Sequence, residues 1–428
     1  MGRFIVKGGI PLRGVHRSPG NKNAALPMIA AAMLSEEPVT LEDLPDISDV
    51  SVMLEMAVRL GASVERDRVS RSAVICARNI RRVSLPADLA RKIRTSALFA
   101  APLLARCGAV SMPHPGGDGI GRRRLDAHFR GFAAMGAKLV SAGATYRLKT
   151  GGLRGADITL AEPSVTGTEN LLTAAAATPG RTVIYNAACE PHVQNLCEML
   201  TAMGAHIEGA GTNRITVEGA ERLRGCTARV RPDAVESASY IAAALATGGE
   251  IVLENVDTPS FAILENAFRK FGVRWQIDED AHTLHLPRQK LRTKYEFGDA
   301  IPCVSDGPWP MFPSDLVSVL IVLATQTRGT CLFFEKMFES RMYFVDHLAG
   351  MGAKIVPCDP HRVVVTGPTA LQGATVASPD IRAGMALIIA ALCARGRTEI
   401  CNAESIDRGY EDVAANLAAL GADISRVG

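Results

Sequence analysis

Residues 133–141, "AAMGAKLVS", end a helical pattern with a glycine and pass at once into a short alternating, strand-like pattern. Glycine directly after a helix is a common C-terminal cap, because it adopts the left-handed backbone conformation at no steric cost. The same tag recurs as LGAS, MGAK, MGAH, FGVR, MGAK and LGAD, beginning at residues 60, 135, 203, 271, 351 and 420. The intervals are 75, 68, 68, 80 and 69 residues, which indicates an internal repeat longer than that of the usual solenoids.

Apolar, alanine-rich runs recur with the same rhythm, at 24–34, 95–105, 170–177, 237–246, 315–324 and 383–394. These runs are apolar on nearly all faces, which is typical of buried rather than surface helices. A third element, "LRG" or "LQG", begins at residues 12, 153, 223 and 371. Three elements in matching order predict six units, each with two helices and several short strands.

Composition restricts the class of protein. The chain has 428 residues, 47% of them hydrophobic and 5% aromatic, so large cores must rest on aliphatic side chains. A net charge of +3 gives no support for a nucleic-acid or membrane surface. The ten cysteines form no CxxC pair, and the N-terminus lacks the apolar run of a signal peptide. We expect a cytoplasmic protein with free thiols, no metal and no cofactor.

Three cations stand where the buried helices are predicted to begin. Lys22, Arg94 and Arg382 precede or open apolar runs, although positive charge opposes the dipole at a helix N-terminus. Cations and backbone N–H groups at helix starts are a strong site for an anion. The other runs are preceded by side-chain oxygens, for which both N-capping and ligand binding stay open: Ser164, Thr166, Thr168, Asp233, Glu236, Asp315 and Asp380.

Two further segments carry charge in loops. The segment 113–128, "PHPGGDGIGRRRLDAH", has four glycines around Asp118, followed by three arginines that include Arg123. It does not match a dinucleotide fingerprint after a clear strand, and favours a mobile loop that closes over substrate, with a solvated basic turn as the alternative. The segment 405–412, "SIDRGYED", places Arg408 before another helix, and a binding role for Arg408 and a surface helix start capped by Asp407 both stay open.

Nine of these stretches together resemble the enolpyruvyl transferases, and within them the UDP-N-acetylglucosamine 1-carboxyvinyltransferases. They are GNKNAALP, IRTSALFAAPLLARCG, PGGDGIGRRRLDAH, EPSVTGTEN, NAACEPHV, FPSDL, FESRM, SPDIRAG and IDRGYE. The resemblance implies an α/β (α+β) fold, a two-domain inside-out α/β barrel of six βαβ-type units with pseudo-threefold symmetry in each domain. It implies one domain from 1–21 and 233–428, and a second from 22–232 that carries the Gly-rich loop 113–124.

The resemblance also implies a reaction. The enolpyruvyl group of phosphoenolpyruvate would pass to the 3-hydroxyl of UDP-N-acetylglucosamine by addition and elimination of phosphate, the first committed step of peptidoglycan precursor synthesis. Arg124, Glu162 and Thr166 depart from the commoner family pattern on the nucleotide side. Another nucleotide acceptor, such as UMP, therefore stays open. A non-catalytic paralogue is disfavoured because the charged positions are retained.

The resemblance assigns roles to individual positions. Lys22, Arg123 and Arg408 match the residues that hold phosphoenolpyruvate, with Asn23 beside them. Nucleotide-sugar contacts match Arg94, Arg123, Arg124, Leu125, Asp126, Ala127, Ser164 and Val165. The reaction centre matches Asp315, with Met337, Arg341, Asp380 and Arg382 around it. Asp118 matches a loop position that is cysteine in many members and aspartate in a natural subset. Replacing Lys22 is expected to lower turnover and leave stability unchanged.

Asp118 predicts the response to fosfomycin, the epoxide that alkylates the loop cysteine of other members. None of the ten cysteines lies in the loop, and a carboxyl is a far weaker nucleophile toward an epoxide than a thiolate. We expect full activity after long incubation with fosfomycin, and time-dependent inactivation of an Asp118→Cys variant. Intact-mass measurement checks this: an inactivating adduct on the unaltered protein would contradict it.

Overall fold

The computed structural model describes residues 2–428 and divides them into two compact units. Unit 1 consists of 2–19, Gly119–Arg122 and Pro232–Gly428, and unit 2 of Gly20–Asp118 and Arg123–Arg231. Each unit contains three β-sheets and three buried helices. The chain therefore has the mixed α/β fold that the sequence predicted, with the same structural unit repeated three times in each half.

Unit 1 has three central helices, and each packs against the other two: Ala234–Thr247, Val317–Gln326 and Ile381–Cys393. They are buried almost throughout their length, which confirms the sequence-based expectation for these apolar runs. The remaining helical segments are Thr258–Arg269, Val345–Gly350, Ala403–Ile406 and Val413–Ala419, with short 3-10 turns at Phe297–Asp299, Ser314–Leu316 and Arg341–Phe344.

The three sheets of unit 1 share one topology. Each has four strands, with one parallel pair at an edge and antiparallel pairing elsewhere. In spatial order they are Thr375–Ala377, Arg397–Cys401, Arg3–Lys7 and Asp423–Val427; Gln276–Asp278, Thr283–Leu286, Glu250–Glu254 and Arg13–Arg17; and Cys303–Ser305, Gly329–Phe334, Arg362–Gly367 and Lys354–Asp359. Alternate residues of the central strands are buried, so that one face of each sheet covers the helices.

Unit 2 repeats the same plan. Its central helices are Lys22–Ala32, Ala100–Cys107 and Val165–Ala176, and the others are Ser48–Leu60, Ala87–Ala90, Asp126–Ala134 and Pro191–Ala202. The run predicted as one helix over 95–105 begins instead as a 3-10 turn, Arg94–Phe99. No helix within residues 2–428 is both long and apolar enough to cross a membrane.

The sheets of unit 2 contain four, four and three strands. They are Thr227–Arg229, Val39–Glu42, Ser72–Cys76 and Ser63–Asp67; His206–Glu208, Arg214–Gly219, Gly180–Tyr185 and Asp157–Thr159; and Ala109–Pro113, Thr145–Lys149 and Lys138–Ala142. In the third sheet a single parallel bridge, Ser84 to Ser111, stands where the others have a parallel edge strand. The arrangement of three similar sheets is thus preserved, although the parallel edge strand of the third sheet consists of a single bridged residue.

Part of the Gly-rich loop packs with unit 1, whereas the sequence-based assignment placed all of 113–124 in the other domain. Ile120 is buried, and its carbonyl accepts a hydrogen bond from the Ser340 N–H at 3.2 Å. A Cβ atom on Gly121 would lie 2.5 Å from the Glu339 carboxylate, so only glycine allows this approach. Local packing, rather than chain order, decides where residues 119–122 belong.

All six tag glycines have a positive φ angle, from 78° to 120°, which confirms the repeat read from the sequence. They are Gly61, Gly136, Gly204, Gly272, Gly352 and Gly421. At each of them a helix ends and the chain turns toward a strand or an extended segment. A side chain in this region costs backbone energy whatever space surrounds it.

Gly204→Ala tests whether the tag glycines stabilise the protein by capping helices. Its φ is +117° and no atom lies within 4 Å of a new Cβ, so any loss of stability comes from backbone strain alone. We expect a loss of roughly 1–2 kcal/mol in the free energy of unfolding, measured by denaturant titration. Gly143→Ala is the matched control, since it also meets no neighbour and does not need a positive φ. Equal stability of both variants would contradict the capping role.

Candidate functional site

Asp315 lies between two buried arginines of unit 1. It belongs to the Ser314–Leu316 turn that leads into a central helix. Its Oδ1 accepts a hydrogen bond from Arg341 Nη2 at 3.1 Å, and its Oδ2 accepts from Arg382 Nε at 3.0 Å and lies 2.9 Å from Arg382 Nη2. Both arginines are at most 5% exposed, whereas the Asp315 side chain is 27% exposed. The carboxylate is therefore clamped on two sides and still accessible.

Each of these two guanidinium groups has a buried nitrogen without a hydrogen-bond partner. Nη1 of Arg341 and Nη1 of Arg382 are both unsatisfied among residues 2–428, and Arg341 Nε also makes no hydrogen bond, although it lies 3.7 Å from Glu335 Oε2. A buried donor left unsatisfied costs about 1–3 kcal/mol, so such groups are normally paired. Two of them around one accessible carboxylate favour a ligand with anionic or strongly polar oxygens.

Arg382 is held in place from several sides. Asp380 caps the helix Ile381–Cys393 by accepting hydrogen bonds from the N–H groups of Arg382 and Ala383, at 2.8 and 3.0 Å. The guanidinium lies 5.3 Å from the ring centroid of Tyr410, whose hydroxyl is 3.1 Å from Ser239 Oγ. Burial opposes the charge on Arg382, but Asp315 and Tyr410 outweigh it and raise the pKa of Arg382 well above its usual value. Arg382 thus keeps its charge and is held by contacts on several sides.

Lys22 of unit 2 forms an ion pair with Asp49, a residue that sequence analysis did not identify. Lys22 opens the helix Lys22–Ala32, which is capped by the side chain of Asn21, and its Nζ lies 2.9 Å from Asp49 Oδ2. Both side chains are buried, and Asp49 stands in the first turn of the helix Ser48–Leu60. The cation that opposes its own helix dipole is therefore compensated by a neighbouring helix. Asn23, the next residue, is half-buried.

The Gly-rich loop brings arginines together within unit 2. Arg123 Nη2 donates to the Asp118 carbonyl at 2.8 Å, and Arg94 Nη2 donates to the Arg124 carbonyl at 2.9 Å. Burial and the charge of Arg123 lower the pKa of Arg94 to about 10, while Glu162 acts in the opposite direction. Arg94 stays protonated at neutral pH, in surroundings that an anion would relieve.

The start of the helix Val165–Ala176 is organised by a buried histidine. Ser164 caps this helix by accepting from the Gly167 N–H at 3.3 Å. His128 Nδ1 lies 2.7 Å from Asn170 Nδ2, and His128 Nε2 lies 3.1 Å from Thr166 Oγ1. Burial and Arg94 lower the pKa of His128 to about 3, so the ring is neutral. Because the amide donates to Nδ1, the ring donates from Nε2 to the Thr166 hydroxyl.

The other predicted residues lie on the same segments. Leu125 is buried, Asp126 and Ala127 open the helix Asp126–Ala134, and Asp126 Oδ2 lies 2.5 Å from Arg124 Nε. Val165 is half-buried beside Ser164, and Met337 is 40% exposed.

Arg408 is half-buried between two short helices. The interpretation of Asp407 as a helix cap is wrong, because Asp412 caps the following helix and Asp407 accepts from Arg426 Nη2 at 2.6 Å.

Several of the side-chain oxygens at the predicted helix starts do cap a helix, which leaves their binding roles untested. The side chains of Ser164, Asp233 and Asp380 all accept backbone hydrogen bonds at helix starts. Asp315 follows the N-cap position, which Pro313 occupies, and its carboxylate contacts two arginines. Sequence reasoning missed Asp49, Glu335 and Tyr410, although Asp49 stands at the start of an amphipathic pattern and Tyr410 lies within the "IDRGYE" stretch.

The buried pair changes the effect expected of Lys22→Ala. Removing the cation takes away the ion-pair partner of a buried carboxylate, and breaking a buried pair typically costs about 3–5 kcal/mol, so stability should fall along with activity. The double variant Lys22→Met with Asp49→Leu removes both charges and should recover most of the stability. Denaturant unfolding of both proteins checks this, and a single variant as stable as the parent would show that the pair contributes nothing.

Comparison with known proteins places the chain in a family. The model of the EPSP synthase (3-phosphoshikimate 1-carboxyvinyltransferase) family matches residues 6–417. The UDP-N-acetylglucosamine 1-carboxyvinyltransferase of Treponema pallidum is 48% identical, with full coverage of both chains. That of Bradyrhizobium diazoefficiens is also 48% identical, covering 99% of this chain and 98% of the relative.

Solved structures agree with this at the level of the fold. The enolpyruvyl transferase NikO from Streptomyces tendae superposes with a TM-score of 0.87 at 24% identity, covering 100% of this chain and 99% of its own. At that identity the likeness concerns the fold alone. The full-length sequence matches and the shared fold lead to one conclusion: the chain belongs to the EPSP synthase family of enolpyruvyl transferases.

Proposed function

We propose that this protein transfers the enolpyruvyl group of phosphoenolpyruvate to the 3-hydroxyl of UDP-N-acetylglucosamine and releases phosphate. The full-length relatives with 41–48% identity all carry the name of this activity. The reaction opens peptidoglycan precursor synthesis, and a cytoplasmic location belongs to the same proposal. Nothing in the comparisons favours UMP or another acceptor, in spite of the departures at Arg124, Glu162 and Thr166.

The clamp around Asp315 is the observation that carries the chemistry. A hydroxyl that attacks carbon 2 of phosphoenolpyruvate needs a base, and Asp315 offers a carboxylate that two guanidinium groups hold in place. Its partial exposure lets a substrate hydroxyl reach it. The unsatisfied Nη1 atoms of Arg341 and Arg382 supply donors for the negative charge of the substrates or of the tetrahedral intermediate.

The remaining steps require binding of the donor and delivery of a proton. Lys22, Arg123 and Arg408 would hold phosphoenolpyruvate, with Asn23 beside it, because phosphate and carboxylate are bound best by fixed cations. The carboxyl of Asp118 would protonate carbon 3 during addition. Loss of a proton from the same carbon and departure of phosphate then give the enolpyruvyl ether.

The nucleotide sugar is assigned to unit 2. Arg94 and the segment Arg123–Ala127 offer the cations for its diphosphate, and the start of the helix Val165–Ala176 offers Ser164 and its backbone. The depressed pKa of Arg94 supports an anion here, because an anion beside the crowded arginines restores the balance of charge. Thr166, oriented by His128, lies at the same helix start.

Asp315→Asn tests the base. The amide keeps the size of the side chain and removes its charge, so kcat should fall on the order of 10²–10⁴-fold, as measured by phosphate release. Asp346→Asn is the matched control: this exposed aspartate lies five residues after Arg341, and its variant should keep full activity. An Asp315→Asn enzyme with normal turnover would eliminate the proposed role.

The acceptor is tested with the unaltered protein. Phosphate release from phosphoenolpyruvate is measured with UDP-N-acetylglucosamine, with UMP and without acceptor. We expect release with the nucleotide sugar only. Release with UMP alone would transfer the proposal to that acceptor, and release with neither would end it.

A further inference from the structure

We propose that Asp306 and Glu335 form a buried carboxyl pair that shares one proton and positions Arg341 against Asp315. The inference rests on the proposed function, since it concerns the geometry of the proposed base. Neither residue belongs to the set matched from the family resemblance. Both are positioning residues, because they act on Asp315 through Arg341.

Strand register brings the two carboxyls together. The strands Cys303–Ser305 and Gly329–Phe334 are parallel neighbours with Ser305 opposite Phe334, so that Asp306 and Glu335 occupy the next matching positions. The Asp306 N–H donates to the Phe334 carbonyl at 3.3 Å, which continues the pairing beyond the strand ends. Both side chains are fully buried.

Hydrogen-bond accounting calls for a proton between them. Glu335 is surrounded by donors: the N–H groups of Met337 and Phe338 at 3.1 Å each, and the Ser314 hydroxyl at 2.8 Å. Asp306 Oδ1 accepts from the Lys336 N–H at 2.5 Å, whereas Asp306 Oδ2 is buried without a partner. A proton shared with Glu335 satisfies this oxygen, and no bare pair of carboxylates does.

Local charge balance agrees with this. The guanidinium beside the pair is that of Arg341, and it already shares its charge with Asp315. Two bare carboxylates next to it would leave a net buried negative charge, which is costly, and one shared proton reduces that charge. In agreement, burial and the neighbouring Asp306 raise the pKa of Glu335 to about 8.

The pair controls the orientation of Arg341. Arg341 Nε lies 3.7 Å from Glu335 Oε2, while Nη2 of the same guanidinium contacts Asp315. Glu335 also holds the backbone of Met337 and Phe338, in the segment that leads to Arg341. When the shared proton is lost, a second negative charge competes with Asp315 for Arg341, and the clamp weakens.

The groups that face or adjoin the pair come from every neighbouring segment. They are Lys336 and His361, whose Nδ1 lies 2.7 Å from the Glu335 carbonyl, together with Ser314, Asp315 and Arg341. Of these, Arg341 is the one whose charge lies next to the Glu335 carboxylate. It opposes retention of the proton, but burial and Asp306 outweigh it.

Asp306→Asn and Glu335→Gln separate the parts of the proposal. An asparagine amide donates to Glu335 as the shared proton does, so Asp306→Asn should keep kcat near the parent value at pH 7. It should also retain activity at pH values above 8, where the parent declines. Glu335→Gln removes the charge that orients Arg341, so kcat should fall about 100-fold with a smaller change in KM. Asp346→Asn again serves as the control.

Stability supplies a readout that is independent of activity. The pKa of Glu335 is raised on folding, so the folded state keeps a proton that the unfolded state releases, and stability falls as pH rises from about 4.5 to about 8. Both variants remove the shared proton. Between pH 5 and pH 8 the melting temperature of each variant should therefore rise relative to that of the parent. Above pH 8 this difference should stay constant.

If the melting temperatures of parent and variants change with pH in parallel across this range, the proposal of a shared proton is wrong. If Asp306→Asn loses as much activity as Glu335→Gln at every pH, the positioning role is wrong. Should Asp306→Asn fail to fold, Glu335→Gln alone still provides the melting test. If the parent lacks enolpyruvyl transfer altogether, the proposed function fails, while the melting comparison still decides whether the pair shares a proton.

Discussion

The structure depends on burying three helices on all of their faces at the centre of each unit. A helix such as Val317–Gln326 or Ile381–Cys393 has no polar face to turn toward water, so sheets must enclose it. Three equivalent sheets around three equivalent helices meet this requirement, which explains why the repeat occurs three times in each unit. The tag glycines follow from the same constraint, because each chain segment must turn sharply to begin the covering strands.

This constraint also determines where chemistry can occur. The central helices have apolar sides, so most of their charged side chains stand near the helix ends, with the buried Glu169 of the helix Val165–Ala176 as an exception. Lys22 opens one such helix, Arg94 opens the 3-10 turn before another, and Arg382 is the second residue of a third. These three cations therefore sit on rigid elements, which favours a fixed geometry of their charges.

Burial makes every one of these charges dependent on a partner. Lys22 is compensated by Asp49, and Arg341 and Arg382 share Asp315. Three guanidinium nitrogens of Arg341 and Arg382 make no hydrogen bond among residues 2–428, and the arginines near the Gly-rich loop crowd one another. Such incomplete compensation costs stability in the protein alone, and in the function proposed above an anionic substrate would relieve it, as in other preorganised electrostatic sites.

The repeat, the buried helices and the positions of the helix-start cations could all be predicted from the sequence, because apolar periodicity and capping glycines are local properties. The partners of those cations could not. Asp49 belongs to another helix, Glu335 and Asp306 meet only through the register of two parallel strands, and Tyr410 lies 28 residues beyond Arg382. The placement of residues 119–122 with unit 1 is equally invisible in the sequence. The sequence alone determined which residue types stand at the helix ends. Only the tertiary structure decided which charges meet and which stay unsatisfied, because electrostatic interaction depends on distance and burial rather than on separation along the chain.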